Sequence, residues 1–341
     1  MLTPPSPPSS FVLLAGRQLV LDGEPFMLRA ICYSPVPVGQ DPGYAAPWGD
    51  YFTSEYEGIF TRDIELFGRM GANTIRLYTF KTSLRHTRFL DAAQAANLIV
   101  LGAFEMGTAE HTPIATPAER AAVRANLRRQ IRASIHPALT LWFVGNEVNG
   151  AWNGFVCERS YAEQFLAYTD RCQFDDQATE LMAVLDSLCE VVHEEGLLCS
   201  TPLAGVSMPD RYTCGADVWP GCVSYSPIGW VEALEAQMVH LDVWSFNLYP
   251  GRDFSTFNFS QLTRITGRPF FVSEYGVDAY NIDAPKCAVA LPGQPCNDNP
   301  NAEYIGLEDE HAQARFRPAQ CGLAMHDRVA SCAILVSRTR T

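Results

Sequence analysis

The sequence predicts an α/β fold of the (β/α)8 barrel class, and three observations carry that expectation. Short, continuously apolar runs recur along the chain, at residues 28–34, 73–80, 98–104, 139–145, 197–204, 241–247 and 269–274, with ASCAILVS (330–337) as an eighth. Amphipathic stretches with helix start and stop signals lie between them. Strands that do not alternate, separated by helices, indicate a parallel sheet buried on both faces. A doubly wound open sheet is the competing architecture, but no glycine-rich phosphate loop follows the first apolar run. Eight alternating units therefore favour a closed barrel.

The elements follow in order. MLTPPSPPSS reads as an extended Pro/Ser linker, which places residues 1–16 outside the barrel and the barrel itself at 17–341. The apolar runs around Asp22-Gly23 signal a hairpin. Within 59–70, Ile59, Phe60, Ile64, Phe67 and Met70 share one helical face, and Gly71 ends the helix. A helix is expected over 84–97. Thr116-Pro117-Ala118-Glu119 combines an N-cap, Pro at the first helical position and a capping-box Glu, and so starts another. Residues 178–195 carry a further apolar period, ending at Gly196, and LEDEHAQARF (307–316) reads as the helix before the eighth strand. Beyond about residue 316 the pattern is atypical. The chain stops within a few residues of its eighth strand, and a barrel without its last helix leaves an apolar face and a sheet edge uncovered.

Composition excludes several function classes. Apolar residues make up 47% and aromatic residues 11% of the chain, which argues against wholesale disorder. Twenty-five basic against 38 acidic residues give a formal charge of −13, which disfavours nucleic acid as a partner. No 18-residue uncharged apolar stretch is present to span a bilayer. The cysteine count of 11 includes three pairs close in sequence, Cys157/Cys172, Cys214/Cys222 and Cys287/Cys296, which suit loop-closing disulfides in an extracellular or secretory compartment. The alternative is free thiols. The N-terminus lacks a signal-peptide pattern, because MLTPPSPPSS has no basic side chain and FVLLAG is too short an apolar core. No CxxC and no zinc-finger spacing of His and Cys point to a metal.

Chemistry in such a barrel sits at the C-terminal ends of the strands. The fourth apolar run ends in Asn146-Glu147 and the seventh in Glu274-Tyr275-Gly276. The sixth ends in Asn247-Leu248-Tyr249, and the second carries Arg76 and Tyr78. A carboxylate straight after an apolar run is costly to desolvate without partners. Two of them, on strands four and seven, face each other across the barrel mouth. Paired carboxylates are what glycoside hydrolysis uses, one as proton donor and one as nucleophile or base.

NTIRLYTF, WFVGNEVN, DVWSFNLYPG and FFVSEYGVDAY resemble the strand motifs of glycoside hydrolase clan A, the retaining (β/α)8 glycosidases. The likeness is nearest to the catalytic barrels of family 2, and the fungal β-1,3-glucanosyltransferases of family 72 also look similar. The DGEPF hairpin and a strand ending YSP are similar to the start of both, and the resemblance spans about residues 17–315. It implies Glu147 as acid/base and Glu274 as nucleophile, about 5–5.5 Å apart for retention. It further implies that Asn146 binds the sugar 2-hydroxyl, that Tyr249 donates to the nucleophile, and that Arg76 lies beneath Glu274 and keeps it ionised. No metal or cofactor is implied.

For several residues two readings stay open. Arg76 is either that support or a plain buried ion-pair partner, and Tyr249 either a donor or a packed rim aromatic. Asn247 either touches substrate or turns the chain, and Tyr33 and Tyr78 are candidates to line the sugar subsite. Trp142 reads as core, whereas Trp152 and Trp230 are the platform candidates on which a sugar ring would stack. His111, His136 and His193 read as ordinary polar residues. Family members usually carry a tryptophan at the end of strand eight, but here the last tryptophan is Trp244. The expected activity is retaining hydrolysis of a β-glycoside, with a carbohydrate as partner. The alternatives are a transglycosylase with the same two glutamates or an inactive carbohydrate-binding barrel.

Overall fold

The computed structural model describes residues 12–37, 40, 46–81, 84–104, 106, 114, 116–148, 174–204, 227–248, 257–275, 280–281, 296–297, 306–308 and 331–335. A small antiparallel sheet comes first, formed by β1 (Val12–Ala15), β2 (Gln18–Leu21) and β3 (Glu24–Pro25). The β2–β3 turn is the expected one. Asp22 at φ 53° and Gly23 at φ 87° are both left-handed, which a two-residue type I′ turn requires and which Asp-Gly tolerates. The sheet begins earlier than expected, since Val12–Ala15 pairs with β2 although those residues read as linker.

The barrel alternates as the sequence predicts. Its units are β4 (Leu28–Cys32), α1 (Glu57–Arg69), β5 (Thr74–Arg76), α2 (Thr87–Ala95), β6 (Ile99–Phe104), α3 (Pro117–Ala133), β7 (Leu139–Val144), α4 (Phe174–Glu194), β8 (Leu198–Ala204), α5 (Pro227–Leu234), β9 (Val243–Asn247), α6 (Phe259–Ile265) and β10 (Phe270–Glu274). Three short strands follow, β11 (Tyr280–Asn281), β12 (Cys296–Asn297) and β13 (Gly306–Glu308), in a sheet of their own. The expectation of a helix starting at 307 is thus overturned: Leu307 and Glu308 pair with β11. Finally β14 (Ser331–Leu335) pairs in parallel with β4 and lies beside β10, which makes the eight-stranded sheet a nearly closed barrel.

Inside and outside of the barrel separate by the period of two. Outward-facing Ile31, Ile75, Val100, Trp142, Val144, Trp244, Phe246 and Val272 join the helices in the main core, to which α1 contributes Phe60, Ile64 and Phe67. Inward-facing Leu28, Ile99, Leu101, Leu141, Val243 and Phe271 form a second cluster, and Leu14, Leu19, Leu21 and Phe26 of the hairpin sheet pack on it. The hairpin therefore plugs the N-terminal end, and the C-terminal end stays available for chemistry. Trp142 is core as expected, at 0% exposure, and a Cβ on neighbouring Gly102 would come within 2.6 Å of its ring.

The helices are held by their own signals. In α3 the Thr116 side chain accepts from Glu119 N while Glu119 accepts from Thr116 N, which completes the capping box. Arg124, Arg128 and Arg132 of α3 pair with Glu190 and Glu194 at the end of α4 and with Glu195 just beyond it. Such solvent-facing pairs add little individually. A stronger tie lies nearby, where the Cys189–Cys199 disulfide joins α4 to β8 over a sequence separation of 10. The sequence reading missed this bond. Its three expected pairs, Cys157/Cys172, Cys214/Cys222 and Cys287/Cys296, involve side chains outside the described residues. Closing a loop of this length restricts the unfolded chain by about 2–3 kcal/mol. The Cys189→Ser, Cys199→Ser double variant should lose that much stability in urea denaturation, and an unchanged midpoint would contradict the bond.

Two sequence expectations for surface aromatics are corrected here. Trp230 is no sugar platform, because it sits on α5 at 1% exposure within the helix–sheet core. Tyr33 does not line a subsite either. It is 3% exposed, its ring packs edge-on against Phe67, and its hydroxyl donates to Asp63 Oδ2 at 2.8 Å. Burial, with the Asp63 charge second, pushes that hydroxyl's pKa up. The histidines behave as expected where described: His136 pairs with Asp91 and His193 with Asp242. Among the described residues, no helix is long and apolar enough to cross a membrane.

Candidate active site

The site forms where β5, β7, β9 and β10 end. Glu147 follows Gly145, whose φ of 73° and close approach to Val148 suit only glycine. Glu147 itself has φ 52°, an unfavourable region for a side chain of this kind, and its N–H is pinned to Pro202 O at 2.9 Å. Strain held in place by the next strand, at the end of an apolar run, is a mark of a functional position.

Glu274 is aimed by a different device. The β9–β10 register shifts between Val272 and Glu274, so Ser273 is an extra residue in the ladder. The bulge lets Ser273 and Glu274 both face the mouth, where a regular strand would present only one of them.

Arg76 lies between these strands at 2% exposure. Its Nη1 donates to Glu274 Oε1 at 2.7 Å, Ser273 O at 2.9 Å and Asn247 Oδ1 at 3.3 Å, and its Nη2 donates to Asn146 Oδ1 at 2.8 Å. The guanidinium rests between two rings, 4.6 Å from the centroid of Tyr78 and 4.9 Å from that of Phe143. Arg76 is therefore a deeply buried ion-pair partner of Glu274. Glu274 is 6% exposed, and burying a carboxylate is costly without such a partner.

Asn247 departs from both of its sequence readings. It is neither a turn residue nor a substrate contact, since its side chain is 0% exposed at the end of β9. It donates to Glu147 Oε1 at 2.9 Å and to Asn146 Oδ1 at 3.2 Å. Asn146 is exposed, and with its oxygen held by two donors it presents its NH2 outward. Tyr78 is half-buried, with its hydroxyl beside the Cys32 thiol on β4. Tyr249, Trp152 and His111 lie outside the described residues.

Two contributors to the site were missed from sequence, and so was one buried contact between loops. Ser273 donates to Asn247 Oδ1 at 2.8 Å. Cys32 points its thiol at Ser273 O, 3.3 Å away, and burial pushes that thiol up to about 11. Counting by twos along β4, β9 and β10 would have placed both residues inside the barrel. Asp50, fully buried, takes both Nε2 of His86 at 2.9 Å and the backbone N–H of Lys81, and so joins the loops after β4 and β5. No sequence spacing announces that contact. No group of three or more potential metal ligands occurs among the described residues. What the arrangement can do is hold one carboxylate against a cation and the other against a neutral amide, at the open end of the barrel.

No protein-family model matches the chain, and no curated protein matches it by sequence. Solved structures do match in fold. Gas2 of Saccharomyces cerevisiae in complex with a compound superposes at a TM-score of 0.52 with 15% identity, over 96% of this chain and 62% of that one. The yeast Gas2p complex with laminaripentaose gives 0.50 with 18% identity, over 81% and 57%. A glutamate-to-glutamine variant of Gas2p with laminaritetraose and laminaripentaose gives 0.50 with 16% identity, over 97% and 61%. The chain thus spans about three fifths of the length of these structures. At this identity the likeness establishes the barrel fold, and the family 2 side of the sequence resemblance gains nothing from it.

Proposed function

We propose that this barrel is a retaining carbohydrate-active enzyme that passes glycosyl units of a β-1,3-glucan to an acceptor sugar. The observation that carries the reading is the continuous chain Glu274–Arg76–Asn247–Glu147, which sets two carboxylates in unlike surroundings at the barrel mouth. In the first step the Glu274 carboxylate attacks the anomeric carbon. The bond from that carbon to the leaving oxygen breaks, and Glu147 gives its proton to that oxygen. In the second step the ionised Glu147 takes the proton of an acceptor hydroxyl as its oxygen attacks the same carbon. The ester bond to Glu274 breaks, and both carboxyl groups return to their starting states.

The β-1,3-glucan assignment draws on the family 72 resemblance and on the laminarioligosaccharides bound to the structural neighbours. The same chemistry with water as acceptor gives hydrolysis, which is the second reading. Asn146 is suited to hold the sugar 2-hydroxyl through its outward NH2, Tyr78 to line the subsite, Tyr249 to donate to Glu274, and Trp152 to act as a stacking platform. The buried disulfide fits an oxidising compartment.

The test is incubation with laminaripentaose, read by mass spectrometry, alongside a 2-deoxy-2-fluoro laminaribiosyl fluoride. Products longer than the pentaose, with an adduct mapped to Glu274, are the expected result. Shorter products alone would favour hydrolysis. Neither products nor adduct from folded protein would favour the inactive binding barrel.

A further inference from the structure

Asn247 is the point at which the two halves of the site meet. Its Oδ1 accepts from Ser273 Oγ and Arg76 Nη1, and its Nδ2 donates to Glu147 Oε1 and Asn146 Oδ1. A guanidinium can only donate, so the amide oxygen must face Arg76 and the amide nitrogen must face Glu147. Turning the amide over would set NH2 against guanidinium and carbonyl against carboxylate. With no solvent exposure to soften those clashes, the orientation is held.

We propose that Asn247 is a positioning residue that relays the charge state of Glu274 to Glu147, with Ser273 holding the relay in register. The inference rests on the double-displacement reading above. While Glu274 is ionised, 2.7 Å from Arg76, it neutralises the guanidinium, and the pull on the Asn247 amide is weak. Glu147 then keeps the proton it gives to the leaving oxygen. Once Glu274 is esterified its negative charge is gone. The unbalanced guanidinium polarises the amide, whose N–H favours an ionised Glu147, the form that accepts the incoming hydroxyl's proton. Two further titratable groups face this network among the described residues, the Cys32 thiol on β4 and the Tyr78 hydroxyl after β5. Burial pushes the thiol up to about 11 and the phenol well above its ordinary value, so both stay neutral. Among the described residues, the charges that change or respond are thus the two carboxylates and Arg76.

The test reads Glu147 directly. Carboxyl 13C NMR of glutamate-labelled protein, assigned with Glu147→Gln, follows its titration before and after trapping with the 2-fluoro glycosyl fluoride. In the parent protein trapping should lower the Glu147 midpoint by about one pH unit or more. Part of that fall is the direct field of the lost carboxylate, which every variant retains. Asn247→Ala should remove about half of the fall or more, and Ser273→Ala a smaller share in the same direction. Ser273 is the decisive variant, because Ser273→Ala removes a single oxygen and that hydroxyl is bonded to Asn247 and not to Glu147. A merely structural serine would leave the titration where it was. A full-sized fall in Ser273→Ala and in Asn247→Ala overturns the relay while leaving the enzyme reading intact. Failure of the parent protein to be trapped overturns the enzyme reading, and this inference with it.

Discussion

On the proposed reading, Glu274→Ala should lower turnover of an aryl β-glucoside by at least about 1,000-fold, since it removes the group assigned to attack the anomeric carbon. Azide should restore much of that activity. The azide ion fits the space of the removed carboxylate, attacks the anomeric carbon and leaves as a glycosyl azide of inverted configuration. The companion variant behaves differently. Glu147→Ala should slow substrates with poor leaving groups severely and activated aryl glycosides much less, because an activated leaving group needs little protonation. Undiminished activity in Glu274→Ala, or equal losses for every leaving group in Glu147→Ala, would refute the respective role.

The second large effect concerns stability. Arg76→Met should cost about 3–5 kcal/mol, because it leaves the buried Glu274 carboxylate without its counter-charge. Ser273 O, Asn247 Oδ1 and Asn146 Oδ1 lose a donor at the same time. Arg76→Lys should recover only part of this, since one ammonium cannot reach acceptors served from two separate guanidinium nitrogens. Replacing both members, as Arg76→Met with Glu274→Leu, should destabilise less than Arg76→Met alone, because no uncompensated charge remains. Urea denaturation of the three variants checks the ranking. A loss below about 1 kcal/mol in Arg76→Met would mean that water reaches Glu274 freely.

Much of the barrel was legible because its signals are local. The run IVLGAF needs only to be apolar on both faces to become a strand buried on both faces, and it does so as β6. Thr116 and Glu119 close a capping box by contacts three residues apart. Asp22-Gly23 turns the hairpin because those two residues tolerate left-handed backbone. The catalytic candidates were legible for a related reason: a glutamate at the end of an apolar strand is visible from its neighbours in sequence. The misreadings arose where a residue's surroundings come from afar. Trp230 looks like a sugar platform until α5 turns it into the helix–sheet core, Tyr33 looks like a subsite aromatic until α1 packs against it, and Leu307 looks helical until β11 lies beside it.

The apolar and polar order along the chain thus sufficed for the barrel, for its hairpin and for two glutamates at strand ends. It could not say which way the end of β10 faces, because a bulge is a mismatch between two strands and belongs to neither sequence alone. Nor could it say that Asn247 would be buried, or that one amide would touch Glu147 on one side and Arg76 on the other, across 100 and 171 residues of chain. Side-chain hydrogen bonds of that span depend on strand register and barrel closure. A shift of one residue in either would turn the same side chains away from each other.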